Sequence, residues 1–131
     1  MAPDAWTPRI AAALLRRGAM MHAMSAALTL GGIAAVVFGF HGMWPVVVVG
    51  VIEFWLAARV AVDADLFAAL GENDDLARFD EAMCRLGLMP DSKAGRPMDD
   101  RIRGALRLLK LQGAMLLLQI VATFIGMMLL R

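Results

Sequence analysis

The feature that most limits what this chain can fold into is an uncharged stretch near its N-terminus. Residues 19–40 read AMMHAMSAALTLGGIAAVVFGF and contain no Asp, Glu, Lys or Arg. A helix rises about 1.5 Å per residue, so about 22 residues are enough to cross a hydrocarbon core roughly 30 Å thick. The stretch therefore predicts a transmembrane helix.

The same stretch carries small residues at every fourth position. Helices in lipid gain little from hiding apolar surface from one another, and close backbone contact at small residues supplies much of their attraction. We expect this strip to pack against another helix or another chain. We expect the same of a pair of small residues spaced by four in the last helix. The predicted helix-packing residues are Ala19, Ala23, Ala27, Gly31, Ala35, Gly39, Ala122 and Gly126.

Two further apolar blocks predict an all-α integral membrane protein with three transmembrane helices. Residues 45–62 follow the first span after a short turn, so the two spans should form an antiparallel hairpin. Residues 111–130 are uncharged and long enough for a third span. The predicted segments are an N-terminal amphipathic segment at the membrane surface (1–18), the transmembrane hairpin (19–62), a small helical cytoplasmic segment (63–110) and the third transmembrane helix (111–131).

The distribution of Lys and Arg predicts the orientation. Almost all basic residues lie in the N-terminal segment and in residues 59–110, whereas the hairpin turn has none and only Arg131 follows the third span. By the positive-inside rule the N-terminus is inside and the C-terminus is outside. Spanning helices rather than a barrel favour the cytoplasmic (inner) membrane of a bacterium.

Glu53 is the most informative single residue. It follows Trp44 by nine residues, which places it roughly 13 Å into the second span and near the bilayer centre. A carboxyl group is costly there and is expected to face other helices or a water path. We expect a mid-membrane polar cluster in which Glu53 is either an ion or proton site or a structural lock. The predicted intramembrane polar residues are Thr29, Glu53, Gln119 and Thr123.

Basic residues just before the third span are predicted to contact lipid headgroups. Near a membrane surface each can contribute on the order of 1 kcal/mol of attraction to anionic lipid. The predicted headgroup residues are Arg101, Arg103, Arg107 and Lys110.

Other residue patterns give no complete chemical site. His22 and His41 are about 19 residues apart along the first span, so they should lie near opposite interfaces and cannot share a metal ion. Asp63 and Asp65 could hold a divalent cation beside lipid headgroups, but their spacing is not specific. We predict no catalytic residue, metal or cofactor, and a net charge of +1 does not favour nucleic acid as a partner.

These patterns favour a non-catalytic helical subunit or scaffold of a larger membrane complex. Its expected partners are membrane lipids and, through the small-residue contacts, other membrane subunits or further copies of itself. The alternative is a small oligomeric transporter or channel that uses Glu53 as a midplane ion or proton site. An enzymatic role stays open only as a lipid-modifying reaction at Asp63 and Asp65, for which no complete catalytic set is visible.

Overall fold

A computed structural model describes residues 6–73 and 75–129, and the regular elements of these residues are all helical. The prediction of an all-α chain is thereby confirmed. Residues 1–5 and 130–131, at the ends of the predicted first and last segments, lie outside the described residues. The helices are α1 (Trp6–Arg16), α2 (Gly18–Val37), α3 (Trp44–Asn73), α4 (Leu76–Arg85) and α5 (Met98–Met128), with short 3-10 turns at His41–Met43 and Asp91–Lys93.

Three helical stretches are long and apolar enough to cross a membrane, as the sequence predicted. They are Thr7–Val37, His41–Leu70 and Met98–Met128. The first combines α1 and α2, which are separated by Arg17 alone. Each stretch has about 30 residues and is therefore longer than an uncharged span requires. The extra length continues the helices beyond their apolar parts.

A tight turn reverses the chain between α2 and α3. Gly39 lies beyond the last residue of α2 with a φ of 95°, a left-handed conformation that glycine adopts without strain. Pro45 then occupies the first turn of α3, where its missing N–H has no helical partner to lose. Gly39, predicted to belong to the packing strip, is therefore a turn residue rather than part of the helix.

The long helices pack along a seam in which a buried position recurs every seventh residue. Hydrogen bonds from α5 reach α2 and α3 at matching heights, so α2 runs parallel to α5 and α3 runs antiparallel to both. A period of 3.5 residues is typical of helices that wind around one another with a left-handed twist. The seam residues are Ala11, Gly18, Ser25 and Gly32 on the first two helices, Val46, Glu53, Val60 and Phe67 on α3, and Met98, Ala105, Gln112, Gln119 and Gly126 on α5.

The seam is apolar where it continues past the uncharged stretches. A cluster of buried side chains joins α1 to the second half of α3 and the first half of α5. The apolar face of α1 thus packs on this part of the bundle, and the position of residues 1–18 at the membrane surface stays a prediction. The members of the cluster are Ala11, Ala12, Leu15, Val60, Ala64, Phe67, Leu70, Met98 and Ala105.

A buried ion pair attaches α4 to the start of α5. Asp80 Oδ2 accepts hydrogen bonds from the Gly95 N–H at 2.7 Å and from the Arg101 guanidinium at 2.8 Å. The Arg101 side chain is only 14% exposed and also donates from Nε to the Arg96 carbonyl. Arg101, predicted to contact lipid headgroups, is thus neutralised inside the protein by a residue far away in sequence.

Replacing Asp80 with alanine is expected to loosen α4 at neutral pH. Hydrogen bonds to a charged group contribute about 1.5–3 kcal/mol each, so amide exchange in α4 should accelerate roughly tenfold or more. Hydrogen exchange read out by mass spectrometry measures this. Glu81→Ala removes an exposed ion pair with Arg85 on the same helix and is the control, with little expected change. Equal exchange of the α4 amides in both variants would show that the Asp80–Arg101 ion pair does not hold α4 in place.

The same ion pair predicts a loss of α4 docking in acid. Burial on its own would raise the pKa of Asp80, but the hydrogen bonds from Arg101 and Gly95 and the Arg101 charge hold that pKa below its ordinary value of 3.8. A lowered pKa in the folded state stabilises the fold above pH 3.8 and stops doing so as the pH falls below it. The protection of the α4 amides, taken as the exchange rate relative to the intrinsic rate at the same pH, should therefore fall below pH 3.8 in the native chain and not in Asp80→Ala.

Candidate functional site

Glu53 is fully enclosed where α2, α3 and α5 meet. The residue is 0% exposed, and both carboxyl oxygens have partners. Oε1 accepts from Gln112 Nε2 at 2.8 Å, and Oε2 lies 3.0 Å from His22 Nδ1. Gln112 Nε2 also donates to the Gly18 carbonyl at 2.9 Å. One carboxyl group on α3 therefore connects to α2 and α5, and we call these four residues the glutamate layer.

The glutamate layer depends on the absence of a side chain at Gly18. A Cβ atom there would lie 2.8 Å from Gln112 Oε1 and 3.1 Å from Val60 Cγ1. The glycine lets α5 approach α2 closely enough for the amide of Gln112 to reach both a backbone carbonyl and Glu53. Gln112 Oε1 is buried and accepts no hydrogen bond from the residues that the structure describes.

A second polar layer lies one heptad further along the seam. Ser25 Oγ donates to Gln119 Oε1 at 2.6 Å, and Gln119 Nε2 donates to Thr29 Oγ1 at 2.8 Å. The same Nε2 lies 3.2 and 3.3 Å from the carbonyls of Ser25 and Val46. Gln119 is fully buried, so its amide replaces bonds to water with bonds to both neighbouring helices. We call Ser25, Thr29, Gln119 and the Val46 carbonyl the glutamine layer.

The predicted single polar cluster is thus divided between two layers. Thr29 and Gln119 meet, but Glu53 bonds to Gln112, seven residues before Gln119 on α5. Seven residues of helix rise about 10 Å, which is too far for a direct hydrogen bond between the layers. Thr123 Oγ1 donates to the carbonyl of Gln119 on its own helix rather than to another span.

Several residues of these layers were not in the predicted site. His22, expected near an interface, lies against Glu53, while Ser25, Gln112 and Gly18 complete the two layers. A signal for them is present in the sequence, because Gly18, Ser25 and Gly32 repeat every seventh residue, as do Gln112 and Gln119. The four-residue repeat of small residues on α2, from which the packing strip was predicted, lies on a different face of that helix.

That four-residue strip lies mainly on the outside of the bundle. Ala19, Ala23, Ala27 and Gly31 are exposed, and a Cβ atom at Gly31 would meet nothing within 4 Å. Ala35 is half-buried. Most of the strip therefore makes no close contact with the other helices of the bundle.

Gly126 on α5 is buried against the hairpin turn. A Cβ atom there would lie 2.9 Å from Met43 Sδ and 3.3 Å from the Gly42 carbonyl oxygen. Ala122, its predicted companion, is half-buried. Gly126 therefore serves packing within the chain, whereas the described residues leave Ala19, Ala23, Ala27 and Gly31 on α2 exposed.

A cleft runs along the outer side of the α2–α3 contact and passes His22. One part, about 310 Å³, extends from His22 and Phe54 towards Arg16 and Asp65. The other part, about 420 Å³, extends the opposite way along Ala26, Leu30 and Val51 and reaches Thr29 and Glu53. The His22 and Phe54 rings lie 5.5 Å apart and line both parts. We call the whole feature the α2–α3 cleft.

The remaining predicted residues lie on the surface. Arg103, Arg107 and Lys110 are exposed on α5 before its uncharged stretch, and Arg103 is 4.0 Å from Asp100. Asp63 is half-buried and Asp65 is exposed. Among the described residues, no three His, Cys, Asp or Glu side chains are grouped so that they could hold a metal ion.

The arrangement in the glutamate layer can hold a proton and can hold three helices together. One proton lies between Glu53 Oε2 and His22 Nδ1, on whichever group carries it. The exposed strip offers close contact to a further helix.

Comparison with protein-family models, with curated proteins and with solved structures finds no match to this chain.

Proposed function

We propose that this chain is a multi-pass membrane protein that acts as a non-catalytic subunit or scaffold. It joins other membrane proteins, or further copies of itself, through the outer face of α2. The observation that supports this most is the exposed strip at Ala19, Ala23, Ala27 and Gly31. The internal seam of the bundle uses other residues, so the strip is not part of that seam within the described residues.

The geometry of α2 explains why one helix can serve two neighbours. Ala27 is two residues after the buried Ser25, a rotation of about 200°, so the middle of the strip points directly away from the seam. Exposed Met20, Met24 and Leu30 lie beside the small residues. A neighbouring helix can therefore lie close to the backbone at the strip, and close contact is the main source of attraction in lipid.

The charges on the surface support the proposed orientation. Arg103, Arg107 and Lys110 are exposed at the end of α5 that precedes its uncharged stretch. Arg16 and Arg17 are exposed directly before α2, at the matching height. These residues would lie at the cytoplasmic face of the inner membrane, with the hairpin turn outside. Each would add on the order of 1 kcal/mol of attraction to anionic headgroups.

Replacing Ala27 and Gly31 together with isoleucine is expected to remove the association. The branched side chains would hold a neighbouring backbone away while leaving the internal seam unchanged. The measurement is blue-native electrophoresis after extraction in mild detergent, with mass spectrometry of the proteins that copurify. Ala114→Ile, at an exposed alanine of α5, is the control and should retain the complex. A native chain that migrates as a monomer and brings no partner would contradict the proposal.

The second candidate function is a small oligomeric transporter or channel. It is favoured by the enclosed Glu53 beside His22, since an ionisable residue inside a span is usually functional. Glu53→Gln keeps the shape of the side chain and its acceptor for Gln112 but removes the titratable group. This candidate predicts ion flux in liposomes from the native chain and its loss in Glu53→Gln. If the native chain carried no ion flux, the transporter candidate would be excluded and only the subunit proposal would be left.

A further inference from the structure

The imidazole of His22 has one nitrogen fixed and one nitrogen available. Nδ1 is held by Glu53 Oε2 at 3.0 Å, and Nε2 makes no hydrogen bond to the residues that the structure describes. The side chain is 33% exposed and lines both parts of the α2–α3 cleft. The carboxyl group therefore fixes the ring while its far edge lies open to whatever fills the cleft.

The number of protons on the Glu53–His22 pair decides whether His22 Nε2 accepts or donates a hydrogen bond. When the pair carries one proton, as a carboxylate with a neutral imidazole, Nδ1 donates to Glu53 and Nε2 is an acceptor. When it carries two protons, Nε2 bears one and is a donor, whether the carboxyl group or the ring took up the extra proton. Nε2 can thus accept from a hydroxyl group or donate to a carbonyl group. The other charged residues that line the cleft are Arg16 and Asp65, at its far end.

The surroundings of Nε2 restrict the ligand to an uncharged molecule. In the bilayer proposed above, His22 is five residues from Arg17 and Glu53 is six residues from Arg59, so the pair lies about 8–9 Å inside the charged boundary. A charged headgroup is costly at that depth. The wall beside Thr29 and Glu53 is otherwise apolar, formed by Ala26, Leu30, Val51 and the ring of Phe54. A volume of about 420 Å³ lies within the range of small-molecule sites.

We propose that the α2–α3 cleft binds an uncharged, lipid-soluble ring that carries carbonyl or hydroxyl oxygens, the chemistry of a membrane quinone. One ring oxygen bonds to His22 Nε2, Glu53 holds the imidazole in place, and the Phe54 ring and the aliphatic wall contact the rest of the molecule. The proposal rests on the membrane location proposed above but is independent of association through the α2 strip.

The experiment uses the native chain in phosphatidylcholine nanodiscs, with its histidines labelled with ¹⁵N. The chain has two histidines, and His41 lies in the hairpin turn, bonded to Gly39, where it serves as an internal control. Decylubiquinone is added in its oxidised or reduced form. We expect a saturable shift of the His22 ring nitrogens and none of His41. Decylbenzene, which has the tail and ring but no oxygen, should leave the His22 nitrogens unshifted.

Two variants test the position of the ligand. Ala26→Leu and Val51→Trp place bulk in the cleft without altering Glu53 or His22, and each should weaken binding at least tenfold. Ala114→Leu on α5 should not change it. The proposal is overturned if neither quinone form shifts His22, if decylbenzene shifts it equally, or if both cleft variants bind like the native chain. The variant with isoleucine at Ala27 and Gly31 should lose association with other chains but still bind the quinone at His22.

Discussion

Replacing Glu53 with leucine is expected to lower the stability of the folded chain by roughly 2–4 kcal/mol. Leucine fills most of the space but offers no acceptor to Gln112 Nε2 and no partner to His22 Nδ1. Hydrogen bonds between helices in membranes average about 0.6 kcal/mol, which alone would give a small effect. The larger expectation arises because one N–H of the buried Gln112 amide and the inner nitrogen of His22 would each lose their partner, at about 1–3 kcal/mol each.

The matched variant for this prediction is Glu53→Gln, which preserves an acceptor for Gln112 and can donate to His22. It should cost less than about 1 kcal/mol, because the number of hydrogen bonds is unchanged. Unfolding in mixed micelles, followed by loss of helical circular dichroism, measures both variants. If Glu53→Leu unfolds at the same denaturant concentration as the native chain, the glutamate layer does not hold the helices together.

Replacing Gly50 with alanine is expected to destabilise the glutamine layer, although alanine is the better helix former. The new Cβ atom would overlap Thr29 Oγ1 and lie 2.8 Å from Gln119 Nε2. Forcing extra volume into a packed site costs about 1–3 kcal/mol, and displacing Thr29 and Gln119 also weakens their hydrogen bonds. Alanine recovers about 1 kcal/mol of helix propensity, so the net loss should be roughly 1–3 kcal/mol.

Two other helical glycines serve as controls for Gly50. A Cβ atom at Gly31 or at Gly104 would meet nothing within 4 Å, so alanine there gains helix propensity without a clash. Both should be neutral or slightly stabilising in the same unfolding measurement, and Gly31→Ala also keeps the α2 strip small. A Gly50→Ala chain as stable as these two would show that α3 and α2 are not in close contact at this height.

Much of the fold could be predicted from residues that act locally. Predominantly apolar runs of about 20 residues can satisfy their backbone hydrogen bonds in lipid only as helices, so the three long apolar helices follow from composition alone. The turn at Gly39 and Pro45 also follows from local conformational preferences. The partners of Glu53 could not be predicted this way, because they depend on how far one helix slides along another.

The docking of α4 shows the same division. Its amphipathic pattern predicts a helix with a buried face, but the residue that holds it is Arg101, whose charge alone suggested a lipid contact. Asp80 and Arg101 are 21 residues apart, and nothing between them specifies that they meet. The tertiary structure decided this pair because two groups so far apart in sequence meet only where packing brings their helices together.

The sequence by itself determined that this chain forms long apolar helices and that Glu53 is the one acidic residue among residues 45–62, because charge and helix length are local properties. Only the tertiary structure decided that Glu53 bonds to Gln112 and His22. It also decided that Gln119 bonds to Ser25 and Thr29 one heptad further along the seam, and that the small-residue strip of α2 faces outward. The physical reason is register: a shift of α5 by one turn would change every partner in the seam and leave the sequence pattern of each helix as it is.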